Sequence, residues 1–145
     1  MIVQPAPVVA QEGPPPAMVD ELTAQARSNL SLARLPDGSN VPSETPEELA
    51  LPIAPRTLEV QTINRALLSA AMDVCELDSD QLSFLPYMRE LRESERYSDK
   101  QMAYIGLLHG ISMGVLTDMI PSTICTDEVM AEMIYEGSTT PITTP

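Results

Sequence analysis

A chain of 145 residues allows at most one ordinary domain with appendages. Its 8 basic and 21 acidic residues give a net charge of −13. Because affinity for nucleic acids and for anionic membrane surfaces comes mainly from clustered Lys and Arg, this balance disfavours both as partners. It indicates solubility or basic partners instead.

The distribution of proline divides the chain near residue 56. Ten of the 14 prolines lie in residues 1–55. Proline removes a backbone donor and pushes its predecessor out of the helical region, so we expect residues 1–56 to form an extended or disordered arm. Residues 17–35 contain no proline and allow one helix, whose thin apolar stripe needs a partner to persist. The stripe is Leu22, Ala26, Leu30 and Ala33.

Residues 57–137 predict a compact all-α domain of four helices, because apolar residues recur there at helical spacing and no segment alternates as a strand does. Residues 138–145 are expected to form a disordered tail. The first helix covers about 57–74, and its apolar face is Val60, Ile63, Leu67, Ala70 and Val74. The second follows a cap on Asp78 or Ser79.

Local signals mark where these helices bend, begin and end. Pro86 is expected to kink or restart the second helix. Ser98 and Gln101 have capping-box spacing and open the third helix, which covers about 99–118. The fourth helix covers about 127–136. Its predicted inward residues and its C-terminal stop are Val129, Met130, Met133, Ile134 and Gly137.

The third helix contains a glycine series at Gly106, Gly110 and Gly114. Residues four apart share a face, and each glycine costs about 1 kcal/mol relative to Ala in a helix interior. The series therefore needs a compensating close approach by another helix. The apolar run around it is shorter than the roughly 20 residues that cross a bilayer, which disfavours membrane insertion.

We predict that this glycine face packs inside the domain. The expected neighbour is the helix at 57–74, which offers the small residues Ala66, Ala70 and Ala71. In the alternative, the glycines face outward and form an intermolecular docking site.

Cys75 and Cys125 lie 50 residues apart, each at a predicted helix boundary. Two thiols cannot hold a structural zinc ion, and His109 is the single histidine, so no metal site is expected. The choice is between a disulfide and two buried free thiols. A domain of about 80 residues with few aromatics has a marginal core, for which a staple is the common remedy. We predict the disulfide and, with it, an oxidising compartment.

Catalysis and cofactor binding are not expected from this sequence. His109 and Cys125 are the pair that nucleophilic catalysis would need, but a lone His on an apolar helix is more often a packed core residue. A phosphate-binding glycine loop needs a preceding strand, and none is predicted. An acidic face for a basic partner is the remaining candidate, with helix-start electrostatics and solvation as the alternative explanation. Its residues are Asp127, Glu128, Glu132 and Glu136.

Short motifs resemble two related families of small periplasmic proteins. The spacing of the two cysteines, with Gly110-Ile111 and Cys125-Thr126-Asp127, resembles the HdeA-like proteins. Tyr104-Ile105-Gly106, followed by a cysteine that opens a last helix, is similar to the Rap/Tai immunity proteins. The resemblance covers about residues 70–136 and implies a helical fold held by a disulfide. It also implies one of two activities, an acid-activated chaperone or an inhibitor of secreted peptidoglycan-cutting effectors.

Together these features predict a non-enzymatic accessory or structural subunit of a bacterial envelope or surface assembly, with the arm lying along a protein partner. A soluble periplasmic chaperone or immunity protein is the alternative, and an enzyme is the third class. We expect a periplasmic or exported protein, with the cytoplasm or a virion as the alternative location. Residues 1–11 lack the basic start of a signal peptide, although Val8-Val9-Ala10 resembles the end of a cleavage site.

Overall fold

The computed structural model describes residues 13–139. This part of the chain forms six α-helices and no strand, so the predicted all-α fold class is confirmed. The helices are α1 (Pro16–Ser28), α2 (Pro46–Leu49), α3 (Arg56–Val74), α4 (Leu85–Glu93), α5 (Asp99–Thr117) and α6 (Asp127–Thr139). Short 3₁₀ turns occupy Leu30–Leu32 and Ser122–Ile124, and a π-helical turn occupies Asp80–Phe84.

The pair α3 and α5 forms the centre of the fold. Ala66 and Ala70 of α3 are completely buried, which lets α5 approach closely. The predicted pairing of these two helices is therefore confirmed. The predicted apolar face of α3 is only partly right, because Leu67 is 43% exposed and the buried face includes Thr62 and Ser69.

The described part of the predicted arm belongs to the same core, which corrects the expectation of an extended or disordered segment for residues 13–56. Helix α1 packs on α5 with Val19, Leu22 and Ala26 buried. The following loop, although rich in proline, adds further buried side chains to that core, namely Leu30, Ala33, Val41 and Ala54. Proline prevents long helices but does not prevent a loop from packing. Residues 1–12 and 140–145 lie outside the described residues.

An ion-pair cluster fastens this loop to α1 and α5. Glu44 accepts hydrogen bonds from Arg27 Nε at 2.8 Å and from Lys100 Nζ at 2.9 Å. Lys100 also lies 3.4 Å from Glu48, which closes a capping box with Thr45 at the start of α2. The hydrogen bond from Arg27, aided by Lys100, lowers the pKa of Glu44 to about 2. The loop is thus held by charge as well as by apolar burial.

The start of α4 shows how Pro86 shapes the chain. Proline has no N–H to donate to the carbonyl of Leu82, and the helix begins there with a π-helical turn, as expected for a restart. Helix α6 docks on this turn through Gly137, where a Cβ would lie 2.1 Å from Leu82 O. Gly137 is therefore a contact residue inside α6 rather than the helix stop that we predicted.

The inward face of α6 also differs from the prediction. Met133 is buried, as expected, but Ile134 is 40% exposed. Val129 and Met130 are half-buried. Residues 138 and 139 continue the helix and correct the predicted tail at its first two positions.

A disulfide joins Cys75 at the end of α3 to Cys125 just before α6, with the two Cα atoms 5.4 Å apart. Its prediction is confirmed. Closing a loop of 50 residues stabilises the fold by about 4 kcal/mol in the chain-entropy account.

Candidate functional site

His109 lies on the inner face of α5 and is 3% exposed. Its Nε2 is 2.8 Å from Ser69 Oγ on α3, and Ser69 Oγ is 2.7 Å from Ser83 Oγ in the π-helical turn. The Phe84 ring packs on the imidazole with centroids 4.6 Å apart. Burial, reinforced by the charge of Arg65, lowers the pKa of His109 to about 4. His109 is therefore neutral at pH 7 and ties three elements together.

Arg65 is a buried charge with no carboxylate within 4.0 Å among the described residues. Its Nη1 donates to Gly137 O at 3.1 Å, and its guanidinium carbon lies 5.2 Å from the centroid of the Tyr87 ring. Burial lowers the pKa of Arg65 and raises the pKa of Tyr87 to about 12. Arg65 therefore joins α3 to α6 through the Gly137 carbonyl and to α4 through the aromatic face of Tyr87.

Tyr104 and Glu59 form a third buried contact between α3 and α5. The tyrosine hydroxyl donates to Glu59 Oε2 at 2.5 Å, and the Arg56 guanidinium lies 3.7 Å from the other carboxylate oxygen. Burial, together with this hydrogen bond, raises the pKa of Tyr104. The group stays protonated at physiological pH and has a structural role.

The outer face of α5 consists of two neighbouring rows, each at four-residue spacing. The glycine row is Gly106, Gly110 and Gly114. The apolar row is Ala103, Leu107, Ile111 and Val115. None of these side chains is polar, and the two rows together are called the outer face below. Gly110, Gly114 and Val115 are exposed, and the other members are half-buried.

This arrangement contradicts the predicted packing of the glycines inside the domain. A Cβ at Gly110 or Gly114 would meet no heavy atom within 4 Å. A Cβ at Gly106 would lie 3.6 Å from Met88 Cε, which is ordinary contact. Helix α3 lies against the opposite face of α5, where His109 finds its partner. The small residues at that crossing come from α3, so the glycines of α5 are not needed there.

A groove of about 860 Å³ adjoins the N-terminal half of the outer face. Ala103, Gly106 and Leu107 belong to both, so groove and outer face form one continuous surface. The other walls come from the loop after α1, from α4 and from the turn that precedes α5. Those walls carry the apolar Leu35, Met88 and Tyr97 and the charged Arg34, Arg92 and Glu95, and α5 itself adds Asp99 and Met102.

The exposed charges are distributed unevenly around this surface. Four exposed basic residues have no carboxylate within 4.0 Å in the described part of the chain, and they are Arg34, Arg89, Arg92 and Arg96. Two of them line the groove. At the other end of α5, Asp118 is exposed at the helix C-terminus, and the last turn contains no basic residue. An acid at the negative end of a helix dipole is locally unfavourable, so this end favours a cation from elsewhere.

The acidic residues predicted as a partner-binding face lie on α6. Asp127, Glu128, Glu132 and Glu136 are all exposed. Helix α6 packs against α3, α4 and the π-helical turn. The structure therefore places these acids on a different helix from the glycine row.

The residues considered for chemistry are not brought together. Cys125 is bonded to Cys75, whereas His109 contacts Ser69. Within residues 13–139, no group of three His, Cys, Asp or Glu side chains could hold a metal ion. None of the helices in that range is both long and apolar enough to cross a membrane.

Comparisons of the chain with protein-family models, with curated proteins and with solved structures gave no match. The resemblance to HdeA-like and Rap/Tai proteins therefore stays a prediction.

Sequence reasoning missed the apolar row beside the glycines and the arginines of the groove. The apolar row was visible as a four-residue repeat that includes Leu107, Ile111 and Val115. The contribution of Arg34 was not visible, because the loop after α1 meets α4 and α5 only in the folded chain.

Proposed function

We propose that this chain is a non-enzymatic accessory or structural subunit that binds another protein through the outer face of α5 and the adjoining groove. The observation that carries the proposal is the inverted polarity of α5. Between residues 103 and 116 its polar side chains Tyr104, His109 and Ser112 are all buried, while the outer face carries no polar side chain. A solvent-facing helix normally shows the reverse pattern. Among the apolar side chains of this face, Val115 is exposed and Ala103, Leu107 and Ile111 are only partly buried against the core. Contiguous apolar surface left open to solvent marks interaction sites.

The exposed glycines support the same proposal. Each lowers helix stability by about 1 kcal/mol relative to Ala, and neither Gly110 nor Gly114 makes a close contact that offsets this loss. A partner backbone that packs directly on the glycine row supplies the missing contact.

We further propose that the assembly belongs to an exported compartment, such as a bacterial envelope. A disulfide at Cys75 and Cys125 is compatible with an oxidising location. Nothing in the described contacts favours the chaperone or inhibitor alternative, which rests on the resemblance alone.

The proposal is tested by isolating the oxidised chain from its natural source under native conditions and measuring the mass of its complex. We expect a stoichiometric protein complex. Gly110→Leu should abolish it, because the new side chain fills the space that the partner backbone needs. Ala24→Leu places the same leucine side chain at an exposed position of α1 and should leave the complex intact. Equal complex formation by both variants would rule out the outer face as the docking surface.

A further inference from the structure

We infer that the partner seated on the outer face of α5 is a second copy of this chain, packed antiparallel across a two-fold axis. This inference rests on the proposed function and names its partner. The first reason is shape. The apolar row forms a ridge and the glycine row beside it forms a groove, so one copy of α5 offers both halves of a ridge-into-groove contact.

A two-fold axis that passes between Gly110 and Ile111 sets the apolar row of each copy against the glycine row of the other. Ile111 of each copy then lies over Gly110 of the other, and Leu107 lies over Gly114. Such an isologous interface uses the same patch on both chains, as most homodimers do. No side chain at Gly110 or Gly114 obstructs this packing, since a Cβ there would have open space around it.

Charge gives the second reason. In this arrangement Asp118 of one copy lies beside Ala103 of the other, because both positions are about 11 Å along α5 from the axis. Ala103 lines the groove that also contains Arg34 and Arg92, neither of which has a carboxylate partner within 4.0 Å in the described residues. The same groove also contains the acids Glu95 and Asp99, so Asp118 meets charges of both signs there, and the contact that it adds is with the two guanidinium groups that lack a carboxylate partner in that part of the chain. The antiparallel helix dipoles act in the same direction.

The test is sedimentation equilibrium of the oxidised full chain from micromolar to near-millimolar concentration at physiological salt. The average mass should rise from that of the 15.8 kDa chain towards twice this value. Gly110→Leu should remain monomeric, and Ala24→Leu should behave like the parent. A mass that stays at 15.8 kDa throughout overturns the inference.

Charge reversal identifies the interface. Asp118→Arg adds a cation beside Arg34 and Arg92 and should raise the dissociation constant at least about tenfold. Adding Arg34→Asp to Asp118→Arg should recover most of the loss. If neither variant changes the dissociation constant, the dimer uses another surface and the inference fails. If the parent chain is monomeric but Gly110→Leu abolishes binding of a different protein, the proposed function holds and only the inference of a second copy fails.

Discussion

The inner face of α5 carries Tyr104, His109 and Ser112, whereas its outer face carries Gly106, Gly110 and Gly114. Tyr104 and His109 each meet a polar partner on α3, whereas Ser112 Oγ is buried without a hydrogen-bond partner among the described residues. At Gly110 and Gly114, by contrast, a Cβ would meet nothing. The two faces show that mean hydropathy does not reveal which side of a helix is buried, because polar groups that find partners can occupy the core.

The largest expected effect on stability separates a substitution at Gly137 from one at Gly110. Gly137→Ala should destabilise the fold by about 3 kcal/mol, at the upper end of the overpacking range, because the added Cβ meets the backbone carbonyl of Leu82. Gly110→Ala should instead stabilise it by up to about 1 kcal/mol through helix propensity alone. Urea unfolding of both variants measures the difference. If the two variants changed the unfolding free energy by the same amount, the contrast between the two glycines would be wrong. A gain in stability for Gly137→Ala would show that α6 does not dock there.

The second test concerns the pH dependence that the inner face imposes. The pKa of His109 falls from 6.5 to about 4 on folding, so the unfolded chain binds the proton first as the pH drops. This contribution to stability is complete above pH 6.5, is lost as the pH falls from 6.5 to 4, and amounts to about 3 kcal/mol.

His109→Gln should remove this contribution to the slope of the unfolding free energy against pH. The comparison is made as the difference between parent and variant, since the carboxylates, including Glu44 with its pKa of about 2, titrate alike in both proteins. Unfolding free energies that fall equally steeply in both between pH 6.5 and 4 would contradict the buried, neutral histidine.

A smaller loss is expected from Ser69→Ala. Ser69 Oγ contacts both His109 and Ser83, and its removal leaves buried polar groups without that partner, at a cost of about 1–3 kcal/mol. Ser28→Ala is the matched control, since Ser28 is exposed and its hydroxyl donates only within α1. If chemical denaturation gives the two variants equal unfolding free energies, the buried polar contact between α3 and α5 does not contribute to stability.

Much of the fold could be predicted because its determinants are local. The capping box at Ser98 and Gln101, the restart at Pro86 and the helix at 99–117 follow from neighbouring residues. The disulfide prediction also held.

The rest depends on which surfaces meet. The loop before residue 56 joins the core through isolated residues such as Val41 and Ala54, which have no periodicity to reveal them. The glycine row predicted a close approach by another helix, but no described residue makes one at Gly110 or Gly114, and the sequence does not say whether the approaching backbone belongs to the same domain. Ala66 and Ala70 made α3 the obvious neighbour, and they serve that crossing without the glycines.

The most direct test of the account is the unfolding free energy of Gly110→Leu, measured by urea denaturation at a concentration where the chain is monomeric. With an open outer face, the variant should be at least as stable as the parent, with a gain of up to about 1 kcal/mol from helix propensity. If the glycines instead packed inside the domain, the leucine would force α5 and its neighbour apart. A loss of about 1–3 kcal/mol or more would then be measured and would contradict the account.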